Sequence, residues 1–93
     1  MKTLQEAKTK LLANPDTVAA YAEQAQEFAI ARELIAARAR AGMTQAEVAQ
    51  RMDTTQSTVA RMESGRRLPT LRTVQRYAEA VGARAVLRLE TNN

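Results

Sequence analysis

The sequence predicts an all-α protein: five helices joined by turns, then one short strand at the C-terminus. Three observations carry this. Ala, Gln, Glu, Arg and Leu, all helix formers or helix-tolerant, dominate 93 residues of which only 3% are aromatic. Two segments open with the Thr-x-x-Glu spacing of a capping box, at Thr3/Glu6 and Thr44/Glu47. Apolar residues then recur at helical spacing everywhere except residues 84–90, where they alternate.

A chain of this length makes one small domain with little surplus core. It has no cysteine, which fits a reducing compartment. No apolar run approaches the ~18 residues that span a bilayer, and the N-terminus lacks the apolar core of a signal peptide. The expectation is a cytoplasmic protein with no membrane segment.

Thr3 and Glu6 begin a first helix over Leu4–Ala13, with Leu4, Ala7, Leu11 and Leu12 as a one-sided stripe. A helix so short is marginal in water, so that stripe needs a surface to lean on. Asn14-Pro15 ends it and starts the next, Asn as N-cap and Pro at the first helical position. The second helix runs to about Ala25 and offers Val18, Tyr21 and Ala22 on one face. No glycine or proline separates it from Gln26–Ala41, so the two are candidates for fusion. Phe28, Ala31, Leu34, Ile35 and Arg38 form the inward stripe of that third stretch, and Gly42 ends it.

The rest of the chain is organised around Gly42–Arg67. A helix starts at Gln45 behind the Thr44/Glu47 box, with Val48, Ala49 and Met52 inward. Asp53-Thr54-Thr55 interrupts it, because Asp tolerates a left-handed backbone and Thr competes for local hydrogen bonds. Another helix follows from about Gln56, with Val59 and Met62 inward and Gly65 as its left-handed stop. Ala49 is small where the two helices cross. Outward lie Gln56, Ser57, Thr58, Ala60 and Arg61, which include the side-chain types that read base edges: Gln on adenine, Arg on guanine, Ser or Thr on either. Two helices, a tight turn and a polar outer face make a helix-turn-helix.

Leu68-Pro69 is a rigid connection, and Thr70 caps a last helix over Leu71–Val81 with Leu71, Val74, Tyr77, Ala78 and Val81 facing the core. Gly82 stops it. In the final segment Ala85, Leu87 and Leu89 alternate with Arg84, Val86, Arg88 and Glu90, a strand signal. A lone strand leaves its backbone groups unpaired, and no second strand pattern occurs in the chain. Ala85, Val86, Leu87, Arg88 and Leu89 are therefore candidate dimerisation residues, pairing with the same strand of another copy across a two-fold axis, their apolar face packed on the helices. A frayed tail, or a strand lent to another protein's sheet, are the alternatives.

The segment TQAEVAQRMDTTQSTVARMESGRRLP closely resembles the DNA-binding domain of phage repressors and Xre regulators, over roughly Phe28–Gly82. The shared features are TQ, an alanine four residues on, the TTQS turn and the ESG end. Asp53 stands where that family usually has glycine. The resemblance implies a lambda-repressor-like helical domain that dimerises on DNA with the Gln56 helix in the major groove. It also implies an ion pair between Arg38 and Glu63 tying the first helix of the domain to the recognition helix. The whole layout further resembles HigA-type antitoxins: an N-terminal helical arm, an Xre domain and a short C-terminal strand. The partner so implied is a ribonuclease toxin like RelE or HigB, neutralised by direct binding, with the antitoxin repressing its own operon.

Charge and chemistry agree with a binding protein. Residues 1–33 carry a net charge of −1 and residues 34–93 one of +5, a neutral-to-acidic arm before a basic domain. With no histidine and no cysteine, Ser-His and Cys-His nucleophile pairs and ordinary zinc sites are excluded. Neither a glycine-rich phosphate loop nor an acidic cluster occurs, so the expectation is a non-enzyme with no metal and no cofactor.

The expected organisation is an arm over 1–25, the helix-turn-helix domain over 26–83 and a dimerisation strand over 84–93. Gln56, Ser57, Thr58 and Arg61 are the candidate base contacts. Thr44, Gln45, Arg66, Arg67 and Thr70 are the candidate phosphate contacts, Gln45 through the positive end of its helix and Thr44 chiefly as the cap. Two copies would bind double-stranded DNA at a palindromic operator with recognition helices ~34 Å apart. Leu4, Ala7, Leu11, Leu12, Val18 and Tyr21 are the candidate toxin contacts, with Glu6, Asp16, Glu23 and Glu27 steering a basic partner. The alternative is a plain transcriptional repressor whose arm only extends the core.

Overall fold

The computed structural model describes residues 15–92. They form four α-helices: α1 (Pro15–Ala41), α2 (Gln45–Arg51), α3 (Gln56–Met62) and α4 (Leu71–Ala80). The expected helix over Leu4–Ala13 lies outside the described residues, so five helices are not seen. The stretches expected over 15–25 and 26–41 are one continuous helix, as the absence of any breaker between them permits.

Chain chemistry accounts for the helix ends. Thr44 closes the capping box: its Oγ1 accepts from the Glu47 N–H at 3.1 Å, while Glu47 Oε1 accepts from the Thr44 N–H at 3.0 Å. Thr55 and Thr70 cap α3 and α4 in the same way, each accepting from the N–H three residues on. At the other ends, α1, α2 and α4 finish with paired backbone bonds that reach back three and five residues, around one left-handed residue each. Glycine fills that place at Gly42 and Gly82; after α2 it is Asp53, with φ 57°.

Leu34, Val48, Ala49, Met52, Val59, Met62, Tyr77, Ala80 and Val81 form the buried core, with Ile30, Ala37, Met43 and Val74 packed against it. Ala49 and Val48 of α2 and Val59 of α3 are buried, the two valines fully. Two arginines tie α2 to α4: Arg51 donates to the Ala80 carbonyl at 3.0 Å, and Arg76 donates to the Met52 carbonyl. Each supplies a donor to a helix C-terminus that lacks one.

Three expectations need correction. Phe28 and Ile35 are not inward: they are 40% and 38% exposed, because α1 turns the neighbouring Ala31 and Leu34 to the core. Leu71 is 51% exposed, since the core of α4 is carried by Tyr77, Ala78 and Ala80. No strand occurs among the described residues; 84–92 run without regular structure. The last backbone bond before them is from the Ala83 N–H to the Ala78 carbonyl, and a single segment has no ladder to join.

Candidate nucleic-acid interface

The site begins with α3. Val59 and Met62 are buried on its inner face, which turns Gln56, Ser57 and Arg61 outward and exposed. Thr58 is half-buried, and its hydroxyl shares a 2.9 Å hydrogen bond with Thr55 Oγ1. The Arg61 Nε–H donates to the Ser57 carbonyl at 3.3 Å, which lays the guanidinium along the helix. Its terminal N–H groups make no hydrogen bond among the described residues.

Beyond α3 the chain folds over Gly65. Ser64 Oγ donates to the Arg61 carbonyl at 2.7 Å and accepts from the Arg66 N–H at 3.3 Å, so this hydroxyl shapes the turn that displays Arg66 and Arg67. Thr58, Arg61, Arg66, Arg67 and Thr73 border one open hollow between α3 and the start of α4. Ser64 and Thr73 were not singled out from sequence. The local signal was a hydroxyl residue at a helix end, where it most often only caps.

Behind this face lies a buried polar network on Glu63, the C-cap of α3. Arg38 grips the carboxylate with two bonds of 2.8 Å, from Nε to Oε2 and from a terminal nitrogen to Oε1. Gln45 Nε2 donates to Oε1 at 3.1 Å. Tyr77 Oη shares its one proton between Glu63 Oε2 at 2.8 Å and the Leu34 carbonyl at 2.9 Å. Arg38 also donates to the Met43 carbonyl at 3.1 Å. Side chains from α1, α2 and α4 therefore meet at the one carboxylate that ends α3.

Burial alone would raise the carboxyl's pKa, but donation from Arg38, Gln45 and Tyr77 outweighs it and holds Glu63 below the usual carboxylate range. Burial and the bond to Glu63 push the Tyr77 phenol well above its ordinary value. The hydrogen bond from Arg38 to Glu63 raises the guanidinium further. These directions leave Glu63 and Arg38 as a charged pair at neutral pH, with Tyr77 protonated as a donor.

Of the expected phosphate contacts, Thr44 and Thr70 accept the cap hydrogen bonds through their hydroxyl oxygens, and the amide nitrogen of Gln45 donates to Glu63. Arg66 and Arg67 are exposed. Among the expected toxin contacts, Leu4, Ala7, Leu11 and Leu12 lie outside the described residues, and Val18 and Tyr21 fall on α1. Among the described residues no group of His, Cys, Asp and Glu is placed to hold a metal, and no helix is long and apolar enough to cross a membrane.

Two short helices joined by a tight turn, with a polar outer face on the second and arginines at its end, define a helix-turn-helix. Residues 34–85, more than half the chain, match the family described as helix-turn-helix, and the chain belongs to that family of DNA-binding regulators. Comparison with curated proteins and with solved structures gives no match.

Proposed function

We propose that the protein is a transcriptional repressor that binds a palindromic operator as a homodimer, with α3 in the major groove. The observation that carries this is the division of α3: Val59 and Met62 are locked in the core, while Gln56, Ser57 and Arg61 stand outside beside Arg66 and Arg67. Arg61 and Gln56 supply the fork and amide geometries that discriminate guanine and adenine. Arg66 and Arg67 hold phosphates irrespective of sequence.

Footprinting the purified protein on its own promoter, followed by titration of variants, tests this. Arg61→Ala is expected to lower operator affinity by about 1–3 kcal/mol and to relax preference at one base position. Arg67→Ala is expected to weaken binding to all sequences alike and to reduce the salt slope by about one. An Arg61→Ala variant with unchanged affinity and preference would remove α3 from the groove.

A second reading adds a toxin partner, and one observation favours it. α1 starts at Pro15, well ahead of the residues matched by the family, so the chain carries helix that a minimal DNA-binding domain does not use. In that reading Leu4, Ala7, Leu11, Leu12, Val18 and Tyr21 cover a hydrophobic patch on a basic RelE- or HigB-like ribonuclease. A pull-down comparing the full chain with one lacking residues 1–25 tests it; equal capture by the two ends it.

A further inference from the structure

The base-reading end of α3 and the arginines beyond it are separated by Gly65, whose φ is 72°. Glycine is the residue least able to hold a backbone in one conformation by itself, so the link from Arg61 to Arg66 runs through the loosest joint of the turn. One side chain spans that joint. Ser64 Oγ donates to the Arg61 carbonyl at 2.7 Å on one side of the glycine and accepts from the Arg66 N–H at 3.3 Å on the other.

We propose that Ser64 is a positioning residue for DNA binding: its hydroxyl fixes the backbone of Arg66 relative to Arg61, and so holds the phosphate grip in register with the base-reading helix. The proposal rests on the reading of α3 as the element that enters the major groove.

Several roles for the hydroxyl fall away on inspection of its surroundings. Ser64 is exposed, so packing does not call for it. The Arg61 carbonyl does not depend on it, because the Ser64 N–H already donates there at 3.2 Å. A serine hydroxyl has one proton. Giving it to Arg61 turns the remaining lone pairs toward Arg66, whose N–H has no other partner among the described residues. Arg61 is anchored in turn, its Nε–H donating to the Ser57 carbonyl at 3.3 Å. Three hydrogen bonds thus run in series from Ser57 through Arg61 and Ser64 to Arg66. Contacts to phosphates set where a protein stands on the duplex, and contacts to bases then read the sequence. An arginine tied to the reading helix transmits that placement; one on a free joint must first be ordered, which weakens binding.

The test compares Ser64→Ala and Ser64→Thr in the full-length protein, each alone and with Arg66→Ala and Arg67→Ala together. Binding is titrated on the footprinted promoter and on an unrelated duplex over a range of salt. Ser64→Ala is expected to weaken binding to both duplexes by about two- to tenfold, with base preference unchanged. Its salt slope stays that of wild type, since both guanidinium groups still reach phosphates, whereas removal of the two arginines lowers the slope by about two. Ser64→Thr, which keeps the hydroxyl, restores affinity. In the chain lacking both arginines, Ser64→Ala causes no further loss. A loss that persists there, as a direct Ser64 contact or a loosened fold would give, overturns the proposal, as does a threonine that fails to rescue.

Amide exchange of the free protein supplies a readout without DNA. The Arg66 N–H is expected to exchange about two- to tenfold faster in Ser64→Ala than in wild type or Ser64→Thr; equal rates also overturn the proposal. If removal of the two arginines weakens DNA binding while Ser64→Ala does not, positioning fails and the DNA reading stands. If wild type binds neither duplex, both fail together.

Discussion

Gly65 shows how much one residue carries at the end of the recognition helix. Its φ of 72° favours glycine, and a β-carbon there would lie 2.3 Å from Cδ1 of Phe28. The aromatic edge rests on the glycine backbone, which is what α1 gains from keeping Phe28 at the surface. Gly65→Ala therefore combines left-handed strain of about 1–2 kcal/mol with overpacking of about 1–3 kcal/mol. In chemical denaturation Phe28→Ala is expected to recover the second part and not the first; a double variant no more stable than Gly65→Ala alone would mean the ring is not the obstacle.

Glu63 makes a second prediction at this scale. Its folded pKa is depressed, so its contribution is complete above the ordinary value of 4.5 and is lost as pH falls through and below that point. The stability gap between wild type and Glu63→Gln is expected to be widest near neutrality and to narrow in acid. Arg38→Met, which strands the carboxylate with only neutral donors, is expected to cost roughly 3 kcal/mol at neutral pH. Sequence alone implied the Arg38–Glu63 partnership through a family resemblance. It did not show Gln45 and Tyr77 joining it, because tyrosine on an apolar stripe reads as packing and a glutamine at a helix start reads as a phosphate contact.

Among the elements, the helix boundaries were the most legible part of the chain. Thr44 and Thr70 cap where the sequence places them, and Gly42 and Gly82 adopt the left-handed backbone that ends a helix; Thr55, read only as part of the turn, proves to cap α3. These signals are local, so neighbouring residues suffice to read them. The inward stripe of α1 was less legible: Phe28 and Ile35 sit at helical spacing from Leu34 and Ala31 and yet flank the buried line. Periodicity gives a face, whereas its width depends on the helices that cover it. The turn after α2 yields a prediction. Asp53 holds φ 57° at a position where glycine has no steric cost, and Asp53→Gly is expected to stabilise the protein by about 0.5–1 kcal/mol. An unchanged or lower midpoint would mean that the Asp53 side chain supports the turn by more than its backbone tolerance.

For the whole molecule, what sequence could not supply was contact between distant segments. The alternation over 84–90 predicted a strand, and the structure instead leaves those residues without regular structure, Ala85, Val86 and Leu87 lying beside a groove between α1 and α4. Likewise the hollow shared by Arg61, Arg66, Arg67 and Thr73 depends on α4 starting next to the end of α3. The two bonds by which Arg51 and Arg76 join α2 to α4 cross 29 and 24 positions of chain. Such links make the helices one cooperative unit. Amide exchange at Val48, Val59 and Tyr77 is expected to proceed with a common opening free energy equal to that of global unfolding; slower exchange at Val48 than at Val59 by more than about tenfold would separate α2 from α3.

The meeting of all four helices at the Glu63 carboxylate has a thermodynamic consequence for encounters with a ligand. A reading surface braced from behind is already in its working shape, so association loses little internal freedom and needs no ordering of α3. Calorimetry of operator binding should then return a heat-capacity change in proportion to the area covered by contact alone, without the excess that accompanies coupled folding.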